Sequence, residues 1–396
     1  EAGIPFSKIS HAFIGWHPRH YLRMSDDSLH EARQNRGKFS YLALNELAGH
    51  FSEELVGVEQ QLRSQNDQLT IHFVDHYQAH LANAFYPSGY KQADFLALDG
   101  FGELTTGMCG HIDDSGADIF IQYPFPHSLG AFYSAFTEYM GFKPKGDEWK
   151  VMALSALGRP EPFYDQIRPM VRLDGLRFEL DLSYFEHFLF FKPKYYADKL
   201  IELLGPPFPP GAEPTQRECD MVAAAQVVVE EITLGLLDAL HERTGCDSLV
   251  LNGGFFLNSV CNGRVFRNSP YANVYIAGSP DDTGVSVGAA MFGAHHVLGG
   301  ERPTPATPHL YYGRPYSNEE IEHELKRKKI RHTRIDNPAV TGARIIHEGR
   351  LLGWFQGGSE FGQRALGNRS ILADPSRPEM KAYINAAVKY REGFRP

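Results

Sequence analysis

The stretch from Ile71 to Glu103, IHFVDHYQAHLANAFYPSGYKQADFLALDGFGE, limits more than any other what this chain can become. HFVD predicts a short strand, and the residues after it predict a helix carrying His76 and His80 four positions apart. Positions i and i+4 share a helix face, so both imidazoles can point at one spot. A second apolar strand, FLAL, is expected to end in Asp99, followed by a glycine turn, Gly100-Phe101-Gly102. Strand ends are where α/β proteins present polar groups to ligands. Two histidines and a carboxylate converging this way predict a metal site, although such a histidine pair also occurs as surface or capping residues.

The rest of the chain reads as α/β. Segments 94–121 predict a β-meander, and Ser128 is the expected N-cap of a helix closed by Gly141. Residues 159–214 are rich in proline and aromatics, which suits an inserted subdomain or a lid. Thr215 is expected to open a long core helix reaching about Arg243. The proline-rich run from Glu301 to Ser317 predicts a boundary between a domain of residues 1–305 and a second α/β unit, 306–396. Shorter helices are expected at 41–55 and 58–64, and the polar, His- and Arg-rich stretch 17–38 carries no assignment.

Several junctions have the chemistry of ligand sites. LVLNGG followed by a helix brings glycine backbone and helix-terminal N–H groups to an anion or nucleotide at Gly253 and Gly254, with Asn258 as a polar contact. Lys150, entering a helix after Gly146-Asp147-Glu148, meets either a phosphate or its acidic neighbours. Asp281 and Asp282 stand at a strand–helix junction, where one of them either caps the helix or completes a shell of two histidines and two carboxylates. The tail gathers Arg364, Arg369, Lys389, Arg391 and Arg395 among glycines and apolar residues, the composition of an enclosed phosphate pocket.

Composition narrows the class. With 42% hydrophobic and 22% charged residues the chain is an ordinary globular one, and its net charge of −9 gives no basic footprint for nucleic acid or anionic membrane. Four scattered cysteines without a C-x-x-C pair form no disulfide framework, so a reducing cytoplasm is expected. The chain begins at Glu1 rather than Met and reads as a piece of something longer.

VDHYQAHLANAF, LALDGFGE, GDEWKVMAL, LNGGFFLNSVCNGR, DDTGVSVGAA and above all EFGQRALGNRSILADP resemble the O-carbamoyltransferases of antibiotic and nodulation-factor biosynthesis. That resemblance implies an actin-like (sugar-kinase-like) ATPase fold over 1–305. Residues 306–396 would begin a domain similar to the carbamoyl-adenylate synthases of tRNA modification, here truncated. It implies that carbamoyl phosphate and ATP, the latter with Mg, give carbamoyl adenylate in the second domain, with a hydroxyl of a small-molecule acceptor carbamoylated in the first. It further implies iron(II) or a similar divalent metal on His76, His80, Asp99 and Asp282, the nucleotide at Gly253, Gly254, Asn258 and Lys150, and phosphates at Arg364 and Arg395. Lys389 and Arg391 would form the Lys-x-Arg pair of the related fold. The family's opening His-Asp segment and later Ser/Asn motif have no counterpart here, Ala153 and Ser155-Ala156-Leu157 depart from its pattern, and no catalytic base is identified. A tRNA threonylcarbamoyl transferase and a non-catalytic nucleotide-binding module are the competing readings. The acidic charge speaks against the first and the C-terminal arginines against the second. Oligomeric state and acceptor identity are not legible.

Overall fold

The strand FLALD is apolar on both of its faces, which a chain accepts only where a sheet is covered on both sides. In the computed structural model, which describes residues 4–17, 60–189, 194–302 and 309–395, that strand is the middle of a five-stranded sheet. The strands are β3 (Gln92–Gly102), β4 (Thr105–Asp113), β5 (Gly116–Pro124), β8 (Ser248–Asn252) and β9 (Asn273–Ile276). Their spatial order is β5-β4-β3-β8-β9; β3, β4 and β5 form the expected antiparallel meander, whereas β8 and β9 continue parallel to β3. The chain divides into two compact units between Ala306 and Thr307.

Ala93, Phe95 and Ala97 of β3 join a buried cluster with Tyr77, Leu81 and Phe85 of helix α1 (His76–Ser88). Leu96 and Leu98 alternate to the opposite face and are equally buried. Helices α2 (Leu129–Tyr139) and α6 (Gln216–Thr244) also pack on β3. The predicted signals hold at both helices: the Ser128 side chain accepts from Ala131 N, and Thr215 with Glu218 forms a capping box before the 29 residues of α6.

Between them lie α3 (Glu148–Ser155), α4 (Glu161–Ile167), the hairpin β6 (Val171–Asp174) with β7 (Arg177–Leu180), and α5 (Asp198–Leu204). The proline- and aromatic-rich stretch packs onto α6 through α4 and β6, burying Ile167, Met170 and Val171. A separate parallel pair, β1 (His11–Ile14) with β2 (Thr70–Phe73), leads into α1. After β8 come α7 (Ser259–Asn268), β9 and α8 (Asp282–Phe292), the last packed along α1. The small residues of α8 are what allow this: a Cβ on Gly288 would stand 1.8 Å from the Ala79 carbonyl oxygen.

The second unit holds α9 (Asn318–Arg327), α10 (Pro338–His347), the antiparallel pair β10 (Leu352–Phe355) and β11 (Arg369–Leu372), and α11 (Met380–Ile384). Of the helices expected before α1, residues 60–65 are helical; the expected helix at 41–55 and all but His17 of the polar stretch lie outside the described residues.

Candidate metal centre

The expectation that β3 ends at Asp99 is corrected. The strand runs on to Gly102, its ladder with β4 shifts register between Leu98 and Gly102, and the turn is Glu103-Leu104. Asp99 therefore lies inside a bulge, the device by which a strand re-aims a side chain. The glycines around it serve close packing. A Cβ on Gly102 would stand 2.1 Å from the His76 ring, one on Gly254 would stand 2.8 Å from Asp99 Oδ1, and one on Gly130 would crowd the Asp99 carbonyl. The bulge is tied down by Ser128, whose hydroxyl donates to that carbonyl at 2.9 Å, and by Gly100 N–H on Asp99 Oδ1 at 2.7 Å.

His76, His80, Asp99 and Asp282 converge, with one donor atom from each inside a 4.8 Å span. Asp99 Oδ2 is 3.6 Å from His76 Nε2 and 3.4 Å from His80 Nε2, while Asp282 Oδ1 is 3.5 Å from both. The two Nε2 atoms are 3.1 Å apart. Both imidazoles are buried, whereas the Asp282 side chain is 70% exposed, so the cluster opens to solvent on the α8 side. Its neighbour Asp281 is occupied locally, with Oδ1 accepting from the hydroxyls of Ser279 and Thr283.

A residue the sequence reading passed over fixes which nitrogen of His80 faces the cluster. Asn252, at the end of β8, donates its amide N–H to the His80 carbonyl at 2.5 Å, and its Oδ1 accepts Gly253 N–H at 2.7 Å. That same oxygen lies 3.1 Å from His80 Nδ1, which must therefore donate. His80 Nε2 is then the nitrogen that faces the other imidazole and two carboxylates, an arrangement that calls for a positive charge there, a proton or a metal ion. Burial opposes charge on His80, but Asp282 and Asp99 outweigh it and raise its pKa to about 9. Burial likewise works to raise Asp99, and the two imidazoles bring its carboxyl far below the usual range.

The donor set fits a divalent ion. Bonds of roughly 2.1 Å in a four-coordinate shell separate ligand atoms by about 3.4 Å, close to the spacings here, and imidazole with carboxylate suits iron, zinc or manganese. The Asn252–His80 bond is of the kind that orients a histidine toward a metal ion. His76 Nδ1 has no such hydrogen-bond partner.

The residues assigned to nucleotide are more dispersed in role. Gly253 takes φ +94°, and a Cβ there would meet the Leu98 carbonyl at 2.0 Å, so it seats β8 against β3. Asn258 is buried and caps α7 through Cys261 N–H, while its amide exchanges hydrogen bonds with Gln226. Lys150 pairs with Asp147 at 3.2 Å and packs over Phe142 and Trp149.

In the second unit the basic residues do not form the enclosed pocket that composition predicts. Arg364 and Lys389 are exposed, Arg369 donates to the carbonyls of Gln356, Gly357 and Asn368, Arg391 bonds Asn385, and Arg395 pairs with Glu392. The loop that carries Arg364 is organised around an acid instead. Glu360 accepts the N–H groups of Leu366, Asn368 and Arg369, which override a desolvation that would raise it and hold its pKa at about 2.

Residues 5–291 match the family described as carbamoyltransferase N-terminus, and 343–396 match carbamoyltransferase C-terminus. An uncharacterized protein from Synechocystis sp. is 38% identical over 82% of this chain and 54% of its own length. Nodulation protein NolNO of Sinorhizobium fredii is 33% identical over 85% of this chain and 48% of its own. The 3'-hydroxymethylcephem-O-carbamoyltransferase of Streptomyces clavuligerus is 28% identical over 65% and 44%. A solved structure of full-length HypF, in phosphate- and nucleotide-bound form, aligns at a TM-score of 0.33 and 17% identity over 59% of this chain and 44% of that one, too distant to bear on the fold. The chain spans about half the length of the curated relatives it matches. With both family segments in the expected order and identities above 30% over most of its length, the chain belongs to the carbamoyltransferase family.

Proposed function

We propose that the first unit is the transfer half of an ATP-dependent O-carbamoyltransferase, and that His76, His80, Asp99 and Asp282 hold its metal, iron(II) or a similar divalent ion. The observation that carries this is the placement of His80 Nε2, held by Asn252 toward a second imidazole and two carboxylates. The sheet order, with β4 alone antiparallel, supports an actin-like ATPase fold.

The second unit would contribute to making carbamoyl adenylate from carbamoyl phosphate and Mg-ATP, releasing pyrophosphate; the exposed guanidinium of Arg364 is suited to a phosphate. In the transfer step an acceptor hydroxyl oxygen bonds to the carbamoyl carbon, the bond from that carbon to the phosphate oxygen breaks, AMP leaves, and the hydroxyl proton goes to a base. A divalent ion bound by this cluster supplies Lewis acidity for the carbamoyl or phosphate oxygens. The protein's own part is to aim the two imidazoles at one spot, to keep Asp99 ionised, and to leave the Asp282 side open for the mixed anhydride. Among the nucleotide residues, Gly254 is best placed, because its missing side chain leaves the Asp99 carboxylate uncovered. A small hydroxylated acceptor is in keeping with the relative named for 3'-hydroxymethylcephem.

The test is AMP release from supplied carbamoyl adenylate, with water as surrogate acceptor, together with elemental analysis. The unmodified chain should carry a near-stoichiometric divalent ion and speed AMP release, and His80→Ala should lose both. Equal release by the two proteins would sink the reading.

A further inference from the structure

Glu103 occupies a position its turn does not favour. Gly102 pairs with Thr105, so Glu103-Leu104 is a two-residue hairpin connection, where asparagine or glycine is the residue of choice. Glu103 nevertheless sits there at φ +56°, in the left-handed region that side chains other than those of glycine, asparagine and aspartate rarely adopt. A local rule broken in this way points to a use for the side chain.

That use is visible in its contacts. Glu103 is 4% exposed, and its Oε1 accepts the backbone N–H of His76 at 3.3 Å and that of His17. His76 is the first residue of α1, whose N-cap residue, Asp75, makes no side-chain cap and whose first turn holds no acid. The first N–H groups of a helix need partners from outside, and a carboxylate there also meets the positive end of the helix dipole. Glu103 supplies both from another element. It thereby joins the β3–β4 turn to the start of α1 and to the backbone beyond β1, where Trp16 packs edge-on against the His76 ring at 5.1 Å. Since His76 Nδ1 lacks a hydrogen-bond partner of its own, ring contact and backbone anchoring are what fix its direction.

We propose that Glu103 is the positioning residue of the metal centre: its carboxylate, capping α1 from the hairpin, sets where His76 presents Nε2. This rests on the metal reading of the cluster. Its consequence is separable from folding, because asparagine suits the turn better than glutamate yet is too short to reach His76 N–H.

The experiment is cobalt(II) titration of the unmodified chain, Glu103→Asn and Glu103→Gln, followed by visible absorption and by thermal unfolding without metal. Glu103→Asn, which eases the turn but loses the cap, should still unfold cooperatively without metal while binding cobalt about 10- to 100-fold more weakly with an altered spectrum. Glu103→Gln, which keeps an acceptor oxygen at the same reach, should recover much of the affinity. Unmodified affinity and spectrum in Glu103→Asn would overturn the proposal. If the unmodified chain takes up no cobalt, the metal reading fails. Amide exchange over His76–Ala79 then tests the positioning role, faster in Glu103→Asn if it holds and unchanged if it does not.

Discussion

Asn252 and His80 show how much one amide decides. Asn252 reaches across from β8 to hold both the backbone and the ring of a residue 172 positions away in sequence. Asn252→Leu, close in volume, would leave His80 Nδ1 buried without an acceptor and free the ring to turn. Metal affinity, read by competition with a chelator, should fall about 10- to 100-fold, in line with other losses of a ligand's outer hydrogen bond. His187 makes a prediction of a different kind. Its ring is buried, Nε2 donates to the Pro126 carbonyl at 2.8 Å, and Nδ1 has no hydrogen-bond partner. Burial drives its pKa down to about 4 from 6.5. Between those values the unfolded chain binds the proton and the folded one does not, so stability is full above pH ~6.5 and is lost as pH falls toward ~4. The loss reaches about 3 kcal/mol at most. Urea unfolding at pH 7 and pH 4.5 should show a smaller acid loss in His187→Gln than in the unmodified chain.

At the scale of elements, the centre depends on how closely α8 lies on α1. Gly284 and Gly288 give α8 a face without side chains, and Gly288 lets it rest on the Ala79 carbonyl one residue before His80. Gly288→Ala should push the helices apart, costing about 1–3 kcal/mol by urea denaturation and carrying Asp282 away from both imidazoles. The signature is a joint loss of stability and metal binding, unlike that of Asn252→Leu, where metal binding suffers first. The small-residue character of α8 and the i, i+4 histidines were legible in the sequence because each is local. The bulge at Asp99 was not, since FLALDGFG reads as a strand and a turn until β4 fixes the register on one side.

For the whole molecule, two compact units lie in one chain, and the predicted chemistry is divided between them. Arg364→Ala should abolish carbamoyl phosphate binding, measured calorimetrically on the whole chain, while leaving metal content unchanged. His80→Ala should do the reverse. A variant that lost both would argue against that division. None of the described helices is long and apolar enough to cross a membrane.

The sequence by itself determined what depends on short-range order. The long capped helix α6, the meander, the spacing of the two histidines and the family motifs all follow from residues near one another in the chain. Tertiary structure decided what depends on distance. It set the Asp282 carboxylate beside both imidazoles and the Asp281 carboxylate on Ser279 and Thr283, since only the fold brings α8 alongside α1. It placed Asn258 in the cap of α7, bonded to Gln226, and it set exposed Arg364 on a loop built around Glu360. It also brought forward Asn252 and Glu103, residues without a motif of their own, because what each does is a hydrogen bond to a partner in another element.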